Sequence, residues 1–275
     1  MAITTLDGAI AGMQPPADWM KPLSGTLIVG QPRNLMYLAG IPGAAVAPAP
    51  GIGGAVLTSA AGVSGYPGCL PFPAASNNTY LGRFQMGGTA AGTYWLCDRL
   101  WHNSGMDVTS NAEQTFTAAA RIPARDADGT NNGRGVYFAL EASATMGAGT
   151  PTVSVKYTNQ AGTQDKTLAA ANIVPIATTS AQGTFIPMGL AAGDTGIQVP
   201  QSMTLSATMT SGTLSAVLYR VIAKLEVTQA AVPNAIDALT AGFPRCYDGT
   251  TPFVVFVPSA TTTSATQGHV IFTQG

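Results

Sequence analysis

The stretch SATMTSGTLSAVLYRVIAKLEV, Ser206–Val227, decides the fold class. From Thr213 onward it is a run of Leu, Val, Ile, Ala and Tyr interrupted by single polar residues, the content of a β-strand. Ser211–Gly212 has the chemistry of a turn, so the stretch predicts a hairpin with these two residues at its tip. The same texture extends outward on both sides. TYLGRFQM, TYWLCDRLW, AEQTFTAAARI, GVYFALEASAT, TVSVKYTN, GTFIPMGL and QSMTLSATM each carry strand content, with turn signals between them. VSVKYTNQAGTQDKT predicts a second hairpin around Gln160–Ala161–Gly162. PFVVFVPSA and HVIFTQG read as two final strands that return to the start of the β region. VPNAIDALTAGF reads as one or two helical turns. Many short strands with recurring turns predict an all-β fold, a β-sandwich or jelly-roll-like core.

Ahead of this region the texture differs. Ile3, Leu6, Ala9, Ile10 and Met13 have helical spacing until Gln14–Pro15–Pro16 stops it, which predicts a short amphipathic helix. Alone it is too short to be stable and must pack on something, such as a neighbouring subunit. The segment from Gly43 to Asn78 is almost all Ala, Gly, Pro and Ser, which excludes a long helix and predicts an extended path along a surface. The expected organisation is an extended N-terminal arm over residues 1–75 and a sandwich domain over 76–275.

Composition narrows the function. Of 275 residues only 9% are charged, 12 Lys and Arg against 13 Asp and Glu, where an average soluble domain has about 25%. A free monomer ordinarily keeps itself soluble with charge, so a chain this neutral predicts a surface covered in an assembly. Clustered Lys and Arg, which phosphate contacts need, are missing from the sequence, and direct nucleic-acid binding is not expected. No apolar window reaches membrane-spanning length, and the N-terminus lacks the basic region of a secretory signal. Cys69, Cys97 and Cys246 are widely spaced and odd in number, which fits reduced thiols rather than a disulfide framework or zinc site.

Four motifs invite a chemical reading. Asp194–Thr195–Gly196 is the triplet that carries the carboxylate of aspartic proteases. That chemistry needs two carboxylates sharing a proton, and the chain has one such triplet, preceded by Ala191, Ala192 and Gly193 rather than by an apolar strand. A turn is the expected structure. In RDADGTNNGRG, Asp126, Asp128, Asn131 and Asn132 offer oxygen ligands, but Asn131 and Tyr137 stand where an EF-hand needs glycine and a carboxylate. A polar surface loop is expected, with a calcium loop of another type left open. In CDRLWHNSG, Cys97 and His102 fall on opposite faces of a strand, which argues against a thiol–imidazole pair; Trp95, Leu100 and Trp101 are expected to pack, and Asp98 and Arg99 to pair at the strand's edge. Gly51–Val56, GIGGAV, has neither the lysine nor the context of a phosphate loop. No catalytic, cofactor-binding or metal-ligating residue is assigned, and no cofactor is expected.

Several of these stretches together, TTLDGAIAGMQPP, CDRLWHNSG, ARDADGTNNG, VKYTNQAGT, FIPMGLAAGDTGIQ with QSMTLS, and GFPRCYDGTTPFVVFVP, resemble in order segments of virion structural proteins of tailed bacteriophages. The resemblance spans most of the chain and implies a particle component made in the host cytoplasm, without enzymatic activity. The expected role is a decoration or cement protein on the capsid surface. Its partners would be the major capsid protein and copies of itself, as a homo-oligomer such as a trimer. The alternatives are a neck, collar or tail component, and a jelly-roll module for host-surface carbohydrate, for which Tyr94, Trp95 and Trp101 are few aromatics.

Overall fold

Strand-rich sequence becomes an all-β structure. The computed structural model describes residues 3, 5–22, 26–46, 55–60, 62–74, 77–116, 121–168, 180–242 and 244–275. These residues form antiparallel sheets, with one α-helix, Leu6–Ala11, and one 3-10 turn, Leu35–Tyr37. The chain divides into two compact units. The first comprises Met1–Val46, Thr58–Asp98 and Val221–Gly275; the second comprises Ala47–Leu57 and Arg99–Arg220. Each holds its own hydrophobic core. The expected division at residue 75 coincides with none of these boundaries, because the N-terminal segment is built into the first unit.

In the first unit one sheet runs in the order Ala17–Lys21, Thr266–Gln274, Thr79–Gly88, Asn234–Asp237. The second layer pairs Pro252–Pro258 with the Gly92–Asp98 portion of the Gly92–Asp107 strand and, on its other edge, with Arg33–Asn34. Trp19, Leu81, Phe84, Val270 and Phe272 from one sheet share a core with Tyr94, Leu96, Val254 and Phe256 from the other. This is face-to-face sandwich packing. Tyr94 and Phe256 stack at 4.4 Å between centroids. The two C-terminal strands return to the start of the β region as expected. Ala17, Trp19 and Lys21 point inward while Asp18 and Met20 point out, the period of two that a half-buried strand requires.

The second unit repeats the plan. One sheet runs Lys166–Thr167, Val153–Asn159, Ile197–Leu205, Gln114–Thr115; the other includes Phe185–Met188, Val136–Ala142 and the portion of Thr213–Val227 up to Arg220. Val153, Val155, Tyr157, Met203 and Leu205 face Phe138, Leu140, Leu214, Ala216 and Leu218 in its core.

Several sequence-based expectations are confirmed and several corrected. The Gln160–Gly162 turn is a hairpin: Asn159 N–H bonds Thr163 O at 3.0 Å, and Lys166 and Thr167 pair with Tyr157 and Lys156. Gly162 takes φ +80, where a side chain would be strained. The hairpin at Ser211–Gly212 does not form. Ile197–Leu205 and Thr213–Val227 belong to different sheets, and the connection between them crosses the sandwich, with Met209 buried in the core on the way. Asn234–Asp237 is an edge strand on Thr79–Gly88, where sheet pairing overrides a weak local preference, and one helical turn follows it, with Ala241 N–H bonded to Asp237 O at 2.9 Å. Within Gly43–Asn78, Leu70 and Phe72 are core residues rather than surface-lying ones; residues 47–54, 61, 75 and 76 of that segment lie outside the described residues, as do 117–120 of AEQTFTAAARI. The N-terminal helix forms over Leu6–Ala11, capped by Thr5, whose Oγ1 accepts from Gly8 N–H at 3.0 Å.

Trp19 is 1% exposed, donates from Nε1 to Thr266 Oγ1 at 3.2 Å, and lies under the Lys21 ammonium. Replacing Trp19 with Ala is expected to cost about 3–5 kcal/mol by loss of burial and creation of a cavity. A urea titration of the variant against the native chain measures it.

Candidate functional site

The Asp194–Thr195–Gly196 triplet follows a turn. Gly193 takes φ +84 and the chain bends at Ala192–Gly193. Asp194 Oδ2 accepts from the Tyr157 hydroxyl at 2.7 Å and Oδ1 from Asn159 Nδ2 at 2.8 Å, while Lys166 Nζ lies 3.9 Å from Oδ1. The Tyr157 oxygen in turn accepts from Ala191 N–H at 2.9 Å. The carboxylate, with its side chain 5% exposed, therefore ties the turn to the Val153–Asn159 strand. Burial and the neighbouring Asp194 charge push the Tyr157 phenol up to about 12, so it stays protonated and donates at neutral pH.

The Asp126 loop is built by the same device. Asp126 is fully buried. Its Oδ1 accepts from Asp128 N–H and Thr130 N–H at 2.9 and 2.7 Å, and its Oδ2 from Thr130 Oγ1 and Gly133 N–H at 2.7 and 2.9 Å. Asp128 pairs with Arg134 at the surface. Four donors saturate the carboxylate that a cation would need. Among the described residues no group of three His, Cys, Asp or Glu side chains is placed to hold a metal ion.

In CDRLWHNSG the expected pairing of Asp98 with Arg99 at a strand edge is replaced by two buried arrangements. Neighbours on a strand point to opposite faces. Asp98, in the first unit, accepts from Thr251 N–H at 2.8 Å and from Thr250 Oγ1 at 3.4 Å. Arg99, in the second, makes a two-point pair with Glu141, Nη2–Oε2 2.7 Å and Nη1–Oε1 3.3 Å, both side chains 0% exposed. His102 Nδ1 lies 3.5 Å from Arg99 Nη2. Burial, and then the Arg99 charge, push the His102 imidazole down to about 3, so it is neutral. Arg125, also buried, donates to Leu57 O at 2.6 Å. Gly51–Gly54 of GIGGAV lie outside the described residues.

Sequence reasoning missed Glu141 and Lys21. The signal for each was one charge at an inward or fully covered position of an apolar strand. Lys21 follows Ala17 and Trp19 on the buried face and donates to Leu38 O at 2.8 Å and Pro42 O at 2.6 Å; burial draws its ammonium down to about 8. Of the aromatics proposed for carbohydrate, Tyr94 and Trp101 are fully buried, and Trp95 lies beneath the Lys224 ammonium at 4.6 Å.

The first unit carries open grooves among its described residues. Two grooves of about 350 and 360 Å³ share Met20, Pro233 and Gln267. Met20 and Ile41, bonded to each other through both backbone amides at 2.7 Å, are 46% and 49% exposed beside them. On the helix Leu6 and Ile10 point into solvent while Ala9 is buried.

No family model matches the chain, and no curated protein does. Among solved structures, that of the infectious bursal disease virus Gx strain covers 95% of this chain and 81% of its own at 10% identity, with a TM-score of 0.20. The infectious bursal disease virus VP2 subviral particle covers 96% and 82% at 10% identity, with a TM-score of 0.17.

Two outcomes are expected. Glu141→Gln leaves Arg99 buried without its counter-charge and should cost about 3–5 kcal/mol, read by denaturant titration. His102 has a folded pKa below its ordinary 6.5, so the unfolded chain binds a proton that the folded chain does not. Stability should then fall as pH drops from about 6.5 towards 3 and be unaffected by this group above that window. In His102→Gln the fall across that window should be shallower in pH-dependent thermal melts.

Proposed function

We propose that this chain is a non-enzymatic structural component of a tailed-phage particle, bound to the capsid surface as a decoration or cement protein. Its partners in this reading are the major capsid protein and further copies of itself, with no cofactor, nucleic acid or membrane involved. The observation that carries it is the exposed apolar surface of the first unit. Leu6, Ile10, Met13, Met20 and Ile41 are each between 46% and 62% exposed, on a chain of 275 residues with only 25 charged ones, 12 Lys and Arg plus 13 Asp and Glu. Exposed hydrophobic residues on a weakly charged surface are groups that a partner surface can cover. The resemblance of the ordered segments to virion structural proteins supports the same reading. So does the use of Asp98, Asp126 and Asp194 as braces, since a carboxylate saturated by internal donors is held away from chemistry.

Quantitative mass spectrometry of purified particles tests it. Copies approaching those of the major capsid protein, or a sizeable fraction of them, are expected. A handful per particle would move the protein to the neck or tail, and absence from particles would overturn the structural role. The double substitution Leu6→Glu, Ile10→Glu changes only exposed positions and should leave the far-UV spectrum unchanged while lowering the protein's occupancy on the particle.

A further inference from the structure

Asn132–Gly133 is the pair most prone to spontaneous deamidation. Glycine offers no side chain to hinder attack of its backbone nitrogen on the preceding amide. In that reaction the Gly133 nitrogen loses its proton and attacks Asn132 Cγ. A C–N bond forms, ammonia leaves, and water then opens the succinimide at either carbonyl, giving aspartate or isoaspartate. Asn132 is exposed, so water and base reach it freely.

Two features of the fold oppose the step. Gly133 N–H, the proton that must leave, is buried and donated to Asp126 Oδ2 at 2.9 Å. An amide anion there would lose that bond and face a carboxylate directly. The backbone also has no room to rearrange. A Cβ at Gly133 would lie 2.2 Å from Ile197 O, and one at Gly196 would lie 1.7 Å from Gly133 O. Gly135 N–H bonds Thr195 O at 2.8 Å, and Arg134 bridges to Gly196. The Asn–Gly peptide is clamped between the Asp126 carboxylate and the 195–197 backbone.

We propose that Asn132 is a latent modification site, held as the amide by this clamp and converted to aspartate or isoaspartate only when the loop opens. Loss of ammonia makes the conversion one-way, and an isoaspartate, which carries an extra methylene in the backbone, no longer fits the space beside Gly196 and Ile197. It marks chains whose loop has opened.

The test follows Asn132 by peptide mapping and mass spectrometry of the full chain at mildly alkaline pH, across a urea series, with Gly133 amide hydrogen exchange measured in parallel. The unfolded chain should deamidate at Asn132 on the order of tenfold or more faster than the folded chain, as local opening controls the rate. The rate should rise with urea in step with Gly133 exchange. Asp126→Asn, checked for folding by circular dichroism, should deamidate faster than the native chain. Equal rates in folded and unfolded chains would overturn the proposal. So would a folded Asp126→Asn protein that deamidates no faster, which would make the carboxylate irrelevant, or slower, which would make it a base that promotes the reaction. If that variant does not fold, the urea series on the native chain decides alone.

Discussion

Asp98 and Arg99 are adjacent in the chain, opposite in charge and fully buried, and each needs its own partner. The chain passes from one unit to the other between them. A buried charge left unpaired costs several kcal/mol, so the strands on either side have little freedom of register. Arg99 finds Glu141, which lies opposite Ser215 in the pairing of Val136–Ala142 with Thr213–Val227. Leu140 and Ala142 flank it and face the core. A slip of one residue would turn Glu141 into that core and Leu140 out of it. The ion pair therefore fixes alignment more than it adds net stability.

The same economy governs the loops. A chain with few charges uses its carboxylates to organise backbone. Asp126 gathers four donors from a single loop, and Asp194 joins a turn to the neighbouring strand. The two loops then meet, through Gly135 N–H to Thr195 O and through the close approach of Gly133 and Gly196. The letters Asp-Thr-Gly arise here from packing. The aspartate is a brace, and the glycine at 196 is required because any side chain would strike the Gly133 carbonyl.

On the first unit the apolar groups that the core does not take up stand outside it. Trp19 and Lys21 point inward from the Ala17–Lys21 strand while Met20, between them, points out against Ile41. Alternation makes such exposure unavoidable wherever an apolar residue occupies an outward position.

The local elements could be read from the residues alone. Strand content from Thr79 onward, the Gln160–Gly162 hairpin, the short helix ahead of Gln14–Pro15–Pro16 and the two returning C-terminal strands were all legible, because alternation, helical spacing and turn residues act over a few neighbouring positions. The turn nature of Gly193–Gly196 was legible for the same reason. The pairing of those elements was set by the packing of the whole chain. Ser211–Gly212 looks the same whether the chain doubles back within a sheet or crosses to the opposite one, and Met209 sinking into the core selects the crossing. VPNAID became an edge strand because Thr79–Gly88 had an open side to pair with. Two sandwiches stand where one was expected, and Arg99 meets Glu141 across 42 residues of sequence. Hydrophobic periodicity states which face of an element is buried and leaves open what buries it, a choice made only when all the elements compete for the same core.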